Sequence, residues 1–105
     1  MAILAIVSAP GITKEIYETL RKEVDWEHKH ATGAVFHAAG FGSGKDSGIH
    51  VADIWESEKD FNNFIDTRLM PVLQRLNVPR PDAEIFEVYN TNIFATAERY
   101  RVAEA

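Results

Sequence analysis

His37 and Asp53 are the two residues of this chain best suited to acid/base chemistry. They occupy the segments "VFHAAG" and "VADIWE", and each sits inside an apolar stretch where an ionisable group needs a reason to be. An imidazole titrating near pH 6.5 beside a carboxylate can abstract a phenolic or carbon-acid proton, with the carboxylate fixing the working tautomer. The other reading is a buried polar pair that sets strand register or crosses a subunit interface. Trp55, two residues beyond Asp53, offers a ring for stacking a planar substrate or for anchoring a core. Tyr89 offers a hydroxyl to a substrate oxygen, or a ring to a subunit seam. Val35 and Val51 alternate with His37 and Asp53 and would supply apolar walls.

Two other constellations are weaker. "EHKH" places His28 and His30 near Asp25, a donor set that zinc or iron would accept. Residues i and i+2 point apart on a helix, so the segment reads as a solvated loop and no metal site is expected. "GFGSGKD" resembles a phosphate-binding loop, but Ala39 stands where that motif needs glycine and Asp46 where it needs Ser or Thr, and a strand-like stretch follows.

Residues 2–8, "AILAIVS", form an apolar run closed by Pro10-Gly11 and read as a strand. Thr13 can cap a helix with Ile16, Tyr17, Leu20 and Val24 on one side, ending near Trp26. Residues 33–41 and 48–56 read as an antiparallel hairpin around "GSGKDS". Ser57 then caps a second helix, with Asp60 in the place of the capping-box acid. Its stripe runs through Phe61, Phe64, Ile65, Leu69, Val72, Leu73 and Leu76, and Pro71 predicts a kink or break near residues 68–70. Residues 83–90 read as a fourth strand.

The order βαββαβ predicts a ferredoxin-like α+β fold, in which two helices cover one face of a four-stranded antiparallel sheet. It spans residues 1–90, with 91–105 as a tail of some helical propensity. Alternation divides each strand into two sets. Leu4, Ile6, Phe36, Ala38, Ala52, Ile54, Phe86 and Val88 are expected under the helices. Ile3, Ala5, Val7, Val35, His37, Ala39, Val51, Asp53, Trp55, Ile85, Glu87 and Tyr89 are expected on the open face. That face is too apolar for water, so a homodimer through it is expected, with a pocket for a small hydrophobic ligand around the polar residues.

"VADIWESEKDFNNFIDTRLMPVL", with "VFHAAG" and "AEIFEVYN", resembles the dimeric α+β barrels of the antibiotic-biosynthesis-monooxygenase type. In that group the third strand ends in an aromatic followed at once by an acid-rich, capped helix. The resemblance implies a group that includes cofactor-independent oxygenases, haem-degrading monooxygenases, small isomerases and decarboxylases, and proteins with no known activity. The leading expectation is cofactor-independent oxygenation of a small aromatic or polyketide-like compound, started by the His37/Asp53 pair. A non-enzymatic ligand-binding or structural dimer is the alternative. The haem-degrading branch pairs a strand-three Trp with a helix-two His and a strand-one Asn. Trp55 matches, but no His lies in residues 58–77 and no Asn in 2–8, so haem is not expected.

Composition narrows the partners. The chain has 105 residues, a formal net charge of −5, 46% apolar residues and no cysteine. Disulfides and thiolate chemistry are excluded. The negative charge without a dense Lys/Arg stripe argues against nucleic acid and anionic membrane surfaces. No apolar run reaches the ~18 residues of a membrane span, and "MAILAIVSAP" lacks the basic start of a secretory signal. A cytoplasmic location is expected.

Overall fold

The computed structural model describes residues 1–44 and 48–102. Strand β1 (Ile3–Ala9) leads to helix α1 (Lys14–Val24), strand β2 (Ala34–Phe41) and strand β3 (Ile49–Trp55). A second helical stretch follows as α2 (Glu58–Phe64), a π-helical turn (Ile65–Leu69) and α3 (Met70–Arg75), and then strand β4 (Asp82–Glu87). The strands form one antiparallel sheet in the order β2-β3-β1-β4. This is the predicted ferredoxin-like α+β arrangement. The β2–β3 connection includes Lys45, Asp46 and Ser47, which lie outside the described residues.

Local chemistry accounts for the helix ends. Thr13 Oγ1 accepts from the Ile16 amide at 3.3 Å and Ser57 Oγ from the Asp60 amide at 3.1 Å, so each hydroxyl satisfies a donor that the first helical turn leaves unpaired. Helix α1 stops at Val24, two residues before the predicted Trp26, because Asp25 adopts left-handed geometry with φ of 58°. The Arg68 guanidinium donates to the Val24 carbonyl at 2.9 Å, closing an acceptor exposed by that stop.

In place of the kink or break predicted near residues 68–70, the second helical stretch accommodates Pro71 with a π turn over Ile65–Leu69 and stays helical through Met70. A proline cannot donate to the carbonyl four residues back and its ring clashes there. The chain inserts a π turn immediately before it, with the Met70 amide donating to Ile65 O. The wider turn also corrects the phase of the buried stripe. At 100° per residue a side chain four positions on drifts by about 40°, yet Phe61, Ile65, Leu69 and Leu73 all remain buried. One slack turn brings the last two back toward the sheet.

The sheet faces are the reverse of the sequence expectation. Ile3, Ala5, Val7, Ile49 and Trp55 pack with Leu20, Val24, Phe61, Ile65, Leu69 and Leu73 in one core. Ile6, Phe36 and Phe86, expected under the helices, are 39%, 43% and 49% exposed. Both alternating sets are apolar enough to be buried, and Phe36 and Phe86 made the wrong one look richer. The helices bring bulky side chains themselves, so small residues such as Ala5 and Val7 on the central strand β1 leave room for them, while Trp55 fills the space against Phe61 and Phe64.

Gly33 positions the start of β2. Its φ is +84°, and a side-chain carbon there would fall 2.3 Å from Asp60 Oδ2, so only glycine fits against the first turn of α2. Its carbonyl accepts from the Glu56 amide at 2.8 Å, tying the entry of β2 to the exit of β3.

Candidate active site

His37 and Asp53 are direct cross-strand partners on β2 and β3. That register depends on an irregularity between Ala34 and Phe36: Ala34 pairs with Trp55 and Phe36 with Ile54, leaving Val35 as the extra residue of a bulge. His37 Nδ1 lies 2.6 Å from Asp53 Oδ1. A carboxylate only accepts, so Nδ1 carries the proton and Nε2 of the neutral ring presents its lone pair. The Tyr17 hydroxyl, on α1, stands 2.7 Å from Nε2 and donates to it when the ring is neutral. On the other side, the Trp55 indole N–H donates to Asp53 Oδ2 at 3.2 Å. Four side chains therefore form one hydrogen-bonded chain: Tyr17 to His37 to Asp53, with Trp55 on the far oxygen.

Burial is graded along this chain. Trp55 and Asp53 are buried, while the His37 side chain is 36% exposed. The Tyr17 and His37 rings are 13° from parallel with centroids 6.2 Å apart. That separation is too long for face-to-face stacking, and the two rings are joined end to end by the hydrogen bond. Trp26 flanks both, 5.6 Å from Tyr17 and 5.7 Å from His37, and Phe41 meets Tyr17 edge-on. The His37 end of the chain is thus flanked by aromatic rings and lies on the edge strand β2.

Burial pushes the Tyr17 hydroxyl up to about 12, with the nearby carboxylates Glu27, Asp53 and Glu18 adding to the rise and Arg21 opposing it. The phenol stays a donor throughout the physiological range. Since the folded value lies above the ordinary 10.0, the stabilisation it carries is complete below about pH 10 and is lost as pH rises through about 12. In an ultraviolet tyrosinate titration of the folded protein, Tyr17→Phe should remove an ionisation step near pH 12. A titration in which Tyr17→Phe removes a step at the ordinary phenol value of 10.0 instead counts against this burial.

The sequence expectations fare unevenly. His37 and Asp53 meet as expected, but between the sheet and α1 and not on the open face. Trp55 is buried against Phe61 and Phe64, with ring centroids at 5.8 and 5.3 Å, so it has no free face for a planar ligand. Tyr89 is fully exposed beyond β4, at the sheet edge opposite β2, and does not reach the pair. Val35 is exposed in the bulge, whereas Val51 is half-buried on the Asp53 side of β3. Tyr17 and Trp26 were missed as site residues. The signal for Tyr17 was its place on the buried stripe of α1, because a tyrosine hydroxyl under a sheet needs a polar partner.

Among the described residues no cluster of His, Cys, Asp and Glu could hold a metal ion. His28 Nδ1 is instead 2.6 Å from Asp25 Oδ1 on an exposed turn, and His30 Nε2 is 3.1 Å from the Ala34 carbonyl oxygen. No described helix is long and apolar enough to cross a membrane.

On the open face the tail forms a short 3-10 helix, Ala95–Tyr100. Together with Phe36 and Ile54, residues Ile93 and Phe94 line an apolar cleft of about 290 Å³.

No protein-family model matches the chain, and no curated protein matches it. Solved structures do. A candidate antibiotic biosynthesis monooxygenase from Chloroflexus aurantiacus superposes with a TM-score of 0.61 at 7% identity, covering 88% of this chain and 97% of that one. SnoaB, a cofactor-independent oxygenase from Streptomyces nogalater, gives 0.56 at 15% identity over 86% and 93% of the two chains. NE2512, a protein of unknown function from Nitrosomonas europaea, gives 0.59 at 17% identity over 90% and 93%. The ferredoxin-like α+β fold is therefore the one these solved structures share. At these identities the likeness concerns the fold, and function has to be argued from the site.

Proposed function

We propose that this protein is a cofactor-independent oxygenase acting on a small aromatic or polyketide-like compound, with His37 as its base. The observation that carries this reading is the imidazole itself: Asp53 fixes its tautomer at 2.6 Å and leaves Nε2, beneath the Tyr17 hydroxyl, as the proton-accepting nitrogen. The likeness to a cofactor-independent oxygenase from Streptomyces nogalater supports the reaction class.

A hydroquinone illustrates the balance. Its O–H proton passes to His37 Nε2 and the resulting phenolate gives an electron to dioxygen. Recombination forms a carbon–oxygen bond, and loss of water leaves a hydroxyquinone. One oxygen atom enters the ring, the other departs as water, and the substrate supplies all the electrons. The protein contributes a base, orientation and an aromatic enclosure that limits water. Asp53 remains a carboxylate and balances the imidazolium.

Oxygen uptake with a panel of hydroquinones tests this directly. The unaltered protein should consume oxygen above the spontaneous rate, and His37→Ala or Asp53→Asn should lower that rate by roughly a hundredfold while the fold persists. No uptake by the unaltered protein with any member of the panel would overturn the proposal. One observation favours a non-enzymatic role instead: Nε2, Nδ1 and both Asp53 oxygens already have partners within the chain. In that case the same variants change stability alone.

The open face bears on assembly. Ile6, Phe36 and Phe86 are exposed together with Ile93 and Phe94 of the tail, more clustered apolar surface than a small monomer usually leaves to water. A second copy packed on this face is the proposed occupant. Sedimentation equilibrium should show a dimer that Phe36→Asp dissociates; a monomeric parent would refute it.

A further inference from the structure

The hydroxyl on His37 Nε2 belongs to a phenol, and that phenol is part of the chain. Because Nδ1 is committed to Asp53, Nε2 is the one lone pair the imidazole can offer, and Tyr17 holds it at 2.7 Å. The Tyr17 ring is nearly parallel to the imidazole, with Trp26 tilted against both rings. Any acidic ligand that uses this base must first take the place of the Tyr17 hydroxyl. What fits an aromatic-walled position and donates a short hydrogen bond to an imidazole is another phenol.

We propose that Tyr17 is an internal competitor for the base, and that the site selects ligands carrying a phenolic hydroxyl, which displaces that of Tyr17 from His37 Nε2. The inference rests on His37 being the base of the proposed reaction, but it concerns binding and can fail or succeed separately from turnover. In the ligand-free protein Tyr17 satisfies Nε2 and keeps water from it. On binding, the ligand O–H donates to Nε2 and the Tyr17 hydroxyl turns to solvent at the half-exposed β2 edge. With a sufficiently acidic phenol the proton moves onto Nε2, breaking the ligand O–H bond and forming the N–H bond, and the ligand is held as phenolate beside the imidazolium.

The test is anaerobic binding of 4-nitrophenol, whose phenolate is coloured, so that oxygen chemistry plays no part. Tyr17→Phe removes only the competing hydroxyl, and its expected effect is a tightening of roughly threefold to tenfold, the range of one displaced hydrogen bond. The bound probe should also be more fully in its phenolate form. His37→Ala should abolish that coloured fraction in either background. A purely structural Tyr17 predicts unchanged or weaker binding, as does a tyrosine that relays the proton, and either outcome overturns the inference. If Tyr17→Phe does not fold, the unaltered protein supplies the measurement: saturation with the probe must accelerate hydrogen exchange of the Tyr17 hydroxyl, and undiminished protection overturns it. Tighter binding by Tyr17→Phe without any oxygen uptake by the parent would leave a phenol-binding site and remove the oxygenase.

Discussion

Trp55→Ala is expected to lower the unfolding free energy by about 3–5 kcal/mol, the range for deleting a buried aromatic, as measured by urea denaturation. Two losses combine. The indole is 4% exposed and packs on Phe61 and Phe64, so its removal opens a cavity between β3 and the first turns of α2. Its N–H is also the donor to Asp53 Oδ2, and a buried carboxylate oxygen without a donor carries a desolvation penalty. Trp55→Phe separates the two, since it keeps most of the ring and removes only the donor; it should cost about 1–3 kcal/mol. A domain of this size is stable by only about 5–15 kcal/mol, so the alanine variant approaches the threshold of unfolding. If Trp55→Ala kept full stability and weakened ligand binding instead, the indole would be a binding surface after all.

Leu73→Ala is expected to cost about 2–5 kcal/mol. Leu73 is fully buried, and it lies on α3 beyond the π turn, where its burial depends on the extra residue that turn accommodates. The amide of Val78 donates to the Leu73 carbonyl at 2.9 Å, holding the end of α3 in place, so the surroundings have little freedom to collapse into the space. The denaturant slope should stay near the parent value, because the same surface is exposed on unfolding. A loss below about 1 kcal/mol would mean that α3 relaxes inward and that the π turn does not hold its phase firmly.

Both variants probe contacts across the covered side of the sheet, and that side separates what could be read in the chain from what could not. Element identity was legible. Thr13 and Ser57 announced the helix starts, the apolar spacing gave the helices, and Pro71 marked the place where the second helical stretch departs from α geometry. The pairing of His37 with Asp53 was legible too, because strand alternation and a short connection bring their segments side by side, although the bulge at Val35 that sets the register left no clear mark.

Which side of the sheet the pair occupies was decided by tertiary structure. Alternation sorts residues into two sets but does not say which set meets the helices, and both sets here are apolar enough to be covered. The helices settle it through volume: Leu20, Phe61, Ile65, Leu69 and Leu73 need the small and medium side chains of Ile3, Ala5 and Val7 opposite them. Asp53 can accompany these into the core because Trp55 and His37 satisfy its oxygens. The same packing brought in Tyr17, which is separated from His37 by twenty residues. Sequence determined that an acid and an imidazole would meet on adjacent strands. Only the packing of α1 over the sheet determined that a phenol would stand on the free nitrogen of that pair.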